Sequence, residues 1–390
     1  MRNIIPHFEK LVLISIINIL GCTSFQIFQY SDIPAPNGQY LVGTTVVEWI
    51  DTTRFNLVQD SHSLYRKIIV QIWYPGQNKK AHNRFSYFGN DKKRIDELAH
   101  QYGIPKFFLS GAKDIKTRSL LELEPEVASG PYPLIIFSHG RAGYRHQNSI
   151  QCEELASRGY IVMAVNHTYD SYITIFEDGS IAPYLSEKKA FEASLIVKKI
   201  TTKDKLNLRS NDLEFALKKV DYLKSKDRLF GLIDLNRIGM FGQSFGGATI
   251  INVASKNDRI DAIAGLDTWF IPLDSAIIKS GVKIPFLHIG QDKWIGIPRN
   301  YKIMKELMKN SSGKSYHFAS KKMGHYDFTD GPQFAPPIRV VIPYFGSENK
   351  DEMRNMLNTM LVSFFDKELK NKNHIQLDKV SKNFHSILSN

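Results

Sequence analysis

The 390 residues are enough for two or three domains, but no Pro/Gly/Ser-rich linker divides them and no internal repeat appears, so they read as one unit. The formal net charge of +12 comes from Lys and Arg scattered along the chain without a nucleic-acid-binding motif, which excludes nucleic acid as the expected partner and leaves a weak preference for anionic lipid. No H-E-x-x-H, paired C-x-x-C or acidic calcium loop is present, so neither a metal nor another cofactor is expected.

At the N-terminus, Arg2 and Lys10 precede the apolar run 11–20, the charged start and short core of an export signal. The run is too short to span a bilayer comfortably. It ends in Ile19-Leu20-Gly21-Cys22, which resembles a bacterial lipobox, whose cysteine is lipidated and becomes the new N-terminus. The expectation is a signal peptide over 1–21, a lipidated Cys22 anchoring the chain to a membrane surface, and a tether over 22–33. An ordinary cleaved signal or an uncleaved anchor is the blander reading. Removing residues 1–21 takes away Arg2, Lys10 and Glu9 and leaves +11. Cys152 then stands alone in the helix-like stretch 150–156, so no disulfide forms within one chain and a packed thiol is expected.

From residue 34 onward, apolar runs near 68–74, 133–138, 160–166, 236–241, 260–266, 284–290 and 314–319 alternate with amphipathic stretches. This pattern predicts an α/β fold over 34–370, with a mostly parallel central sheet and helices on both faces. The polar, weakly periodic segments near 80–125 and 168–208 read as insertions over the active-site face, and 371–390 reads as a polar C-terminal tail.

The strand 133–138 runs into Ser138-His139-Gly140-Arg141-Ala142-Gly143, a small-residue loop that can bring backbone N–H groups to a developing oxyanion. Further along, the run 236–241 ends in Gly242-Gln243-Ser244-Phe245-Gly246 and is followed by the buried-helix pattern 248–254. Strand, G-x-S-x-G and helix in succession are the nucleophile elbow of a serine hydrolase, an α/β-hydrolase by its chain order. The expected oxyanion donors are the N–H groups of Phe245 and Arg141, and His139 is read as orienting the loop.

The base must be a histidine beyond the serine. His317 falls within the last strand, His288 within a core run, and His374 and His385 within the polar tail. His325 lies on the loop after the last strand, where loops carry chemistry, and is the candidate. Two acids end successive strands, Asp267 and Asp292. Pattern alone leans toward Asp292, because many enzymes of this fold carry the acid after that later strand.

Gly242-Gln-Ser-Phe-Gly-Gly-Ala-Thr249 and Leu266-Asp-Thr-Trp-Phe-Ile-Pro-Leu273 resemble the elbow and acid motifs of the plasma-type (group VII) platelet-activating factor acetylhydrolases and their bacterial relatives. Phe137-Ser-His-Gly140, and His325 with Phe328 and Asp330, match as well, so the similarity covers most of 34–366. Gln243 stands where the family has histidine, and Arg141 where it has an apolar residue. The resemblance implies Asp267 as the acid, 23 residues after the serine. It also implies a calcium-independent phospholipase acting on short or oxidised sn-2 acyl chains. The residues themselves support ester hydrolysis through an acyl-enzyme. A general carboxylesterase with the same triad, or a non-catalytic surface lipoprotein, are the other readings.

Overall fold

The computed structural model describes residues 30–60, 63–77, 83–89, 92–103, 105–186, 200–334, 339 and 344–388. The expected signal segment 1–21 and the expected lipidation site Cys22 lie outside the described residues.

The strands are β1 (Leu41–Asp60), β2 (Ser63–Gly76), β3 (Arg84–Ser86), β4 (Lys116–Leu121), β5 (Tyr132–Ser138), β6 (Ile161–Asn166), β7 (Ile173–Ile175), β8 (Ile181–Pro183), β9 (Ile233–Gln243), β10 (Ala262–Leu266), β11 (Phe286–Gln291) and β12 (Ser315–Ser320). Ten of them form one sheet in the order β12-β11-β10-β9-β5-β6-β2-β1-β4-β3, while β7 and β8 pair separately. The six strands from β12 to β6 are mutually parallel. β5, β6, β10 and the second half of β9 read as nearly unbroken apolar runs because both of their faces are covered. β2 is antiparallel to β6 and to β1, forming a long hairpin on one flank.

The principal helices are α1 (Lys92–Tyr102), α2 (Ser149–Ser157), α3 (Thr202–Leu223), α4 (Phe245–Ala254), α5 (Pro298–Asn310), α6 (Lys350–Leu369) and α7 (Leu377–Ser381). One apolar core joins α3 and α4 to one face of the sheet, and a second joins α2 and α6 to the other. In α6, Met353, Met356, Leu357, Met360, Leu361, Phe364 and Phe365 recur at helical spacing and are all buried. Each such side chain contributes about 1.5–3 kcal/mol of burial. A Cβ on Gly239 would come within 2.7 Å of the Phe365 ring, so this glycine sets how closely α6 approaches β9.

Chain order reverses beside β5, since the link to β6 goes one way and the chain then returns past β5 to β9. Ligands of open α/β sheets bind at the carboxyl ends of strands at such a switch point. The small-residue loop after β5 and the Ser244 turn after β9 therefore emerge side by side.

Three readings need correction. Residues 30–33 are not a free tether: Ile33 is fully buried, its N–H donates to the Lys116 carbonyl, and Tyr30 packs on the same small core. The segment 371–388 is not a solvated tail. Leu377, Val380, Phe384 and Ile387 line one side of it and pack on the β12 and α6 core, and the Leu388 N–H donates to the Ala319 carbonyl. Its average polarity hides that apolar stripe. Within 168–208, α3 already begins at Thr202, fixed by a capping box in which Thr201 and Asp204 satisfy each other's backbone N–H.

Candidate active site

Strand β9 delivers Ser244 into a left-handed backbone conformation, φ 54° and ψ −116°. That turn requires its glycines. A Cβ on Gly246 would sit 1.9 Å from the Ser138 carbonyl oxygen, and one on Gly242 would sit 2.4 Å from Gly246 backbone. Ser244 is pinned from both sides, its N–H donating to the Leu266 carbonyl and its carbonyl accepting from Trp269 N–H.

The Ser244 hydroxyl lies 3.0 Å from His325 Nε2, and His325 Nδ1 lies 2.5 Å from Asp267 Oδ2. In the tautomer these contacts imply, Nδ1–H donates to the carboxylate and Nε2 accepts from the serine. His325 opens a short turn after β12 (His325–Phe328). Asp267 closes β10 at φ 44° and is fully buried. Its oxygens also accept from Gln291 N–H at 3.1 Å and Gln291 Nε2 at 2.7 Å, and Tyr301 Oη lies 3.1 Å from Oδ1. Trp294 Nε1 donates to its carbonyl. A buried carboxylate so fully bonded has a single orientation.

The structure brings Asp267, not Asp292, to the imidazole. Asp292 sits one residue past β11, and its N–H donates to the Ser320 carbonyl at the sheet end. Both acids terminate strands, so the local pattern could not separate them. Gln291, Tyr301 and Trp294, which hold Asp267, escaped the sequence reading, because a lone polar or aromatic residue after a strand or inside a helix carries no spacing signal.

Phe245 is the first residue of α4, so its N–H has no intrahelical acceptor. Arg141 follows Gly140 on the facing loop, and both line the same pocket as Ser244. The Arg141 side chain donates from Nε to Tyr184 Oη at 2.9 Å and lies over the Trp269 ring at 5.8 Å. His139 is fully buried. Its Nδ1 is 2.7 Å from the Gly140 carbonyl, and its Nε2 accepts from His167 N–H and Ser171 Oγ. Burial and the Arg209 charge push its pKa well below the usual histidine range, so it is a neutral strut. His288 is likewise a core residue, accepting from Thr268 N–H. Cys152 is a buried thiol. Gln243 accepts from Gln147 Nε2 at 3.2 Å and donates to the His325 carbonyl at 3.3 Å, bracing the histidine loop from behind.

The pocket over Ser244 holds about 470 Å³. Trp269 and Trp294 form one wall, with parallel rings 6.4 Å apart, and Tyr326, Tyr344 and Phe345 form another. Leu98, Gln101 and Leu109 from the 80–125 segment also line the pocket. Among the described residues no Asp or Glu lines it, and Arg141 is the permanent cation there. Serine, imidazole and carboxylate at hydrogen-bond distances, beside two backbone donors on an apolar pocket, are the parts needed for acyl transfer.

The sheet order and this site define an α/β-hydrolase. The family model described as platelet-activating factor acetylhydrolase, isoform II, matches residues 25–386, and the chain belongs to that family. It is 28% identical over 301 residues to platelet-activating factor acetylhydrolase of Canis lupus familiaris, covering 71% of this chain and 63% of that protein. It is 26% identical over 294 residues to the Gallus gallus protein of the same name, covering 66% and 64%. The chain thus spans just under two thirds of the length of these relatives. Among solved structures, a ferulic acid esterase from Streptomyces cinnamoneus superposes with a TM-score of 0.73 over 92% of this chain and 98% of that one. At 24% identity that likeness shows the fold alone.

Proposed function

We propose that the protein is a serine esterase that hydrolyses the sn-2 ester of phospholipids carrying short or oxidised acyl chains, through an acyl-enzyme. The observation that carries the reading is the Ser244–His325–Asp267 relay opening into an apolar pocket. Ser244 Oγ attacks the ester carbonyl while His325 Nε2 takes its proton. The tetrahedral oxyanion is met by the N–H groups of Phe245 and Arg141. His325 returns the proton to the departing alkoxide, and water repeats the sequence on the acyl-enzyme. Asp267 holds the ring and stabilises its charged form without itself taking the proton. The pocket's apolar lining suits an acyl chain, the likeness to platelet-activating factor acetylhydrolases favours a short one, and Arg141 suits the phosphate or the distal oxidised end of the substrate.

The test is calcium-free hydrolysis of an sn-2 acetyl phospholipid against its long-chain counterpart, with Ser244→Ala alongside. Serine-dependent release of acetate at least tenfold faster than of long-chain acid is expected. Equal rates, or undiminished turnover by Ser244→Ala, would overturn the proposal. The paired indoles of Trp269 and Trp294 favour a second reading, a carboxylesterase acting on aryl esters. Turnover of aryl esters without phospholipid turnover would select it.

We also propose export and lipidation at Cys22, in keeping with Leu20-Gly21-Cys22. Labelled fatty acid should be incorporated by the full chain and lost in Cys22→Ser. Among the described residues no helix is long and apolar enough to cross a membrane.

A further inference from the structure

A second chain of serine, histidine and aspartate lies directly behind the oxyanion loop. Ser138 Oγ is 3.0 Å from His167 Nε2, and His167 Nδ1 is 3.0 Å from Asp212 Oδ2. All three side chains are fully buried, and Ser138 does not line the pocket. Asp212 is gripped by Arg66 through Nε at 3.1 Å and Nη2 at 2.7 Å. Burial works to raise its pKa, but Arg66 and His167 hold the carboxyl well below the usual range. The Ser138 oxygen itself accepts from Arg209 Nη2 at 3.1 Å. This second relay has no room for a substrate, and it leads to Arg209.

Arg209 projects from the middle of α3 and is fully buried. Its Nη2 also donates to the His139 carbonyl, and its Nη1 lies 2.6 Å from Asp170 Oδ2 and 3.5 Å from the Gly140 carbonyl. Its guanidinium carbon sits 4.9 Å from the centre of the Phe245 ring. Lys205, one turn earlier on α3, holds the other Asp170 oxygen at 3.1 Å. The Asp170 carbonyl in turn accepts from Ala142 N–H at 3.0 Å. The loop 139–142 is therefore fastened at both ends by one cluster.

Peptide geometry turns that fastening into aim. In a planar trans peptide the C=O and the following N–H point in opposite directions. The Gly140 carbonyl is drawn back by His139 Nδ1 at 2.7 Å, Gly143 N–H at 3.0 Å and the longer Arg209 contact. The Arg141 N–H of that same peptide plane must then face the opposite way. The His139 carbonyl, held by Arg209, fixes the preceding plane. One guanidinium thus holds the backbone that aims one oxyanion donor and packs on the ring of the residue supplying the other. Lysine cannot replace it, because a single ammonium lacks the planar fork that reaches Asp170, Ser138 and two carbonyls together.

We infer that Arg209 is a positioning residue for the oxyanion site, acting through the His139–Gly140–Arg141 backbone and the Phe245 ring. The inference rests on the acyl-transfer reading above. Losing one oxyanion donor costs on the order of 10²–10³ in kcat. Arg209→Met should accordingly lower kcat about 10²-fold with KM within about twofold. Arg209→Lys should lose about tenfold. Rates on p-nitrophenyl acetate are expressed per active site, counted by end-point phosphonate titration, so that unfolded protein does not enter. The affinity of a trifluoromethyl ketone, which forms the oxyanion adduct, should fall in parallel with kcat. An unchanged kcat per titrated site in Arg209→Lys, or unchanged ketone affinity, overturns the inference. Should the acyl-transfer reading itself be wrong, wild-type protein would fail to titrate and Ser244→Ala would keep its turnover, which is a different outcome.

Discussion

Two Ser–His–Asp relays start from the ends of neighbouring strands, β5 and β9, with matching first contacts, 3.0 Å from serine oxygen to imidazole in each. Ser244 is held at positive φ at the head of a helix and opens into the pocket. Ser138 is the last residue of a strand, fully buried, with its oxygen already accepting from Arg209. Around Asp212 the charge of Arg66 is at hand, with Arg54 Nη2 at 3.0 Å as well, whereas Asp267 is met by neutral donors and His325. In the proposed mechanism Asp267 is thus left to stabilise an imidazolium, while Asp212 is already neutralised by Arg66. Residue types and spacing do not by themselves make a nucleophile. Access, backbone strain at the serine and the counter-charge on the acid decide it.

The contrast can be broken most sharply at the serines. Ser244→Ala should reduce kcat on the order of 10⁶-fold. Ser138→Ala, which loosens the oxyanion loop without touching substrate, should cost tenfold or less, checked by steady-state rates on one ester. The acids come next. Asp267→Asn should cost about 10⁴-fold in kcat by favouring the wrong tautomer, whereas Asp292→Asn should change it less than about threefold. A reversal of that order would return the acid to β11. Asp212→Ala should act on stability instead, losing about 3–5 kcal/mol in urea titration because it strands the buried Arg66 charge.

The comparison extends to pH. Burial pushes His167 and His317 down to about 4 and His139, His146 and His288 well below their ordinary range. These rings stay neutral when folded but take up protons when unfolded below about pH 6.5. Stability from them is complete above that pH and lost as pH falls toward 4. Burial raises Glu153 to about 7 and Asp330 well up, and lifts Asp261, Asp327 and Glu368 less far, all in the opposite sense; the two strongly raised carboxyls stand against five strongly lowered histidines. The urea midpoint should therefore fall from pH 7 to pH 5, by about 1.4 kcal/mol per pH unit for each net proton. A midpoint that rose on acidification would contradict the neutral-histidine account.

The elbow was legible because strand, glycines and helix are contiguous, and the inner parallel strands because they carry apolar runs. The loop after β5 could be read as a candidate oxyanion loop from its small residues. What fastens it could not, since Arg209 is 68 residues from Arg141 and looks like any cation on a helix. β1 is half-exposed along Val47–Glu48 and rich in threonine, so it lacks the apolar run that marks the inner strands. The docked C-terminal segment was hidden by its polarity, and the choice between Asp267 and Asp292 turned on where His325 arrives from 58 residues beyond the former.

The central claim, that Ser244 and not Ser138 is the nucleophile, is tested most directly by reacting the wild-type protein with a fluorophosphonate and mapping the adduct by peptide mass spectrometry. Stoichiometric modification of Ser244 alone is predicted. An adduct on Ser138, or none on the folded protein, would contradict the account.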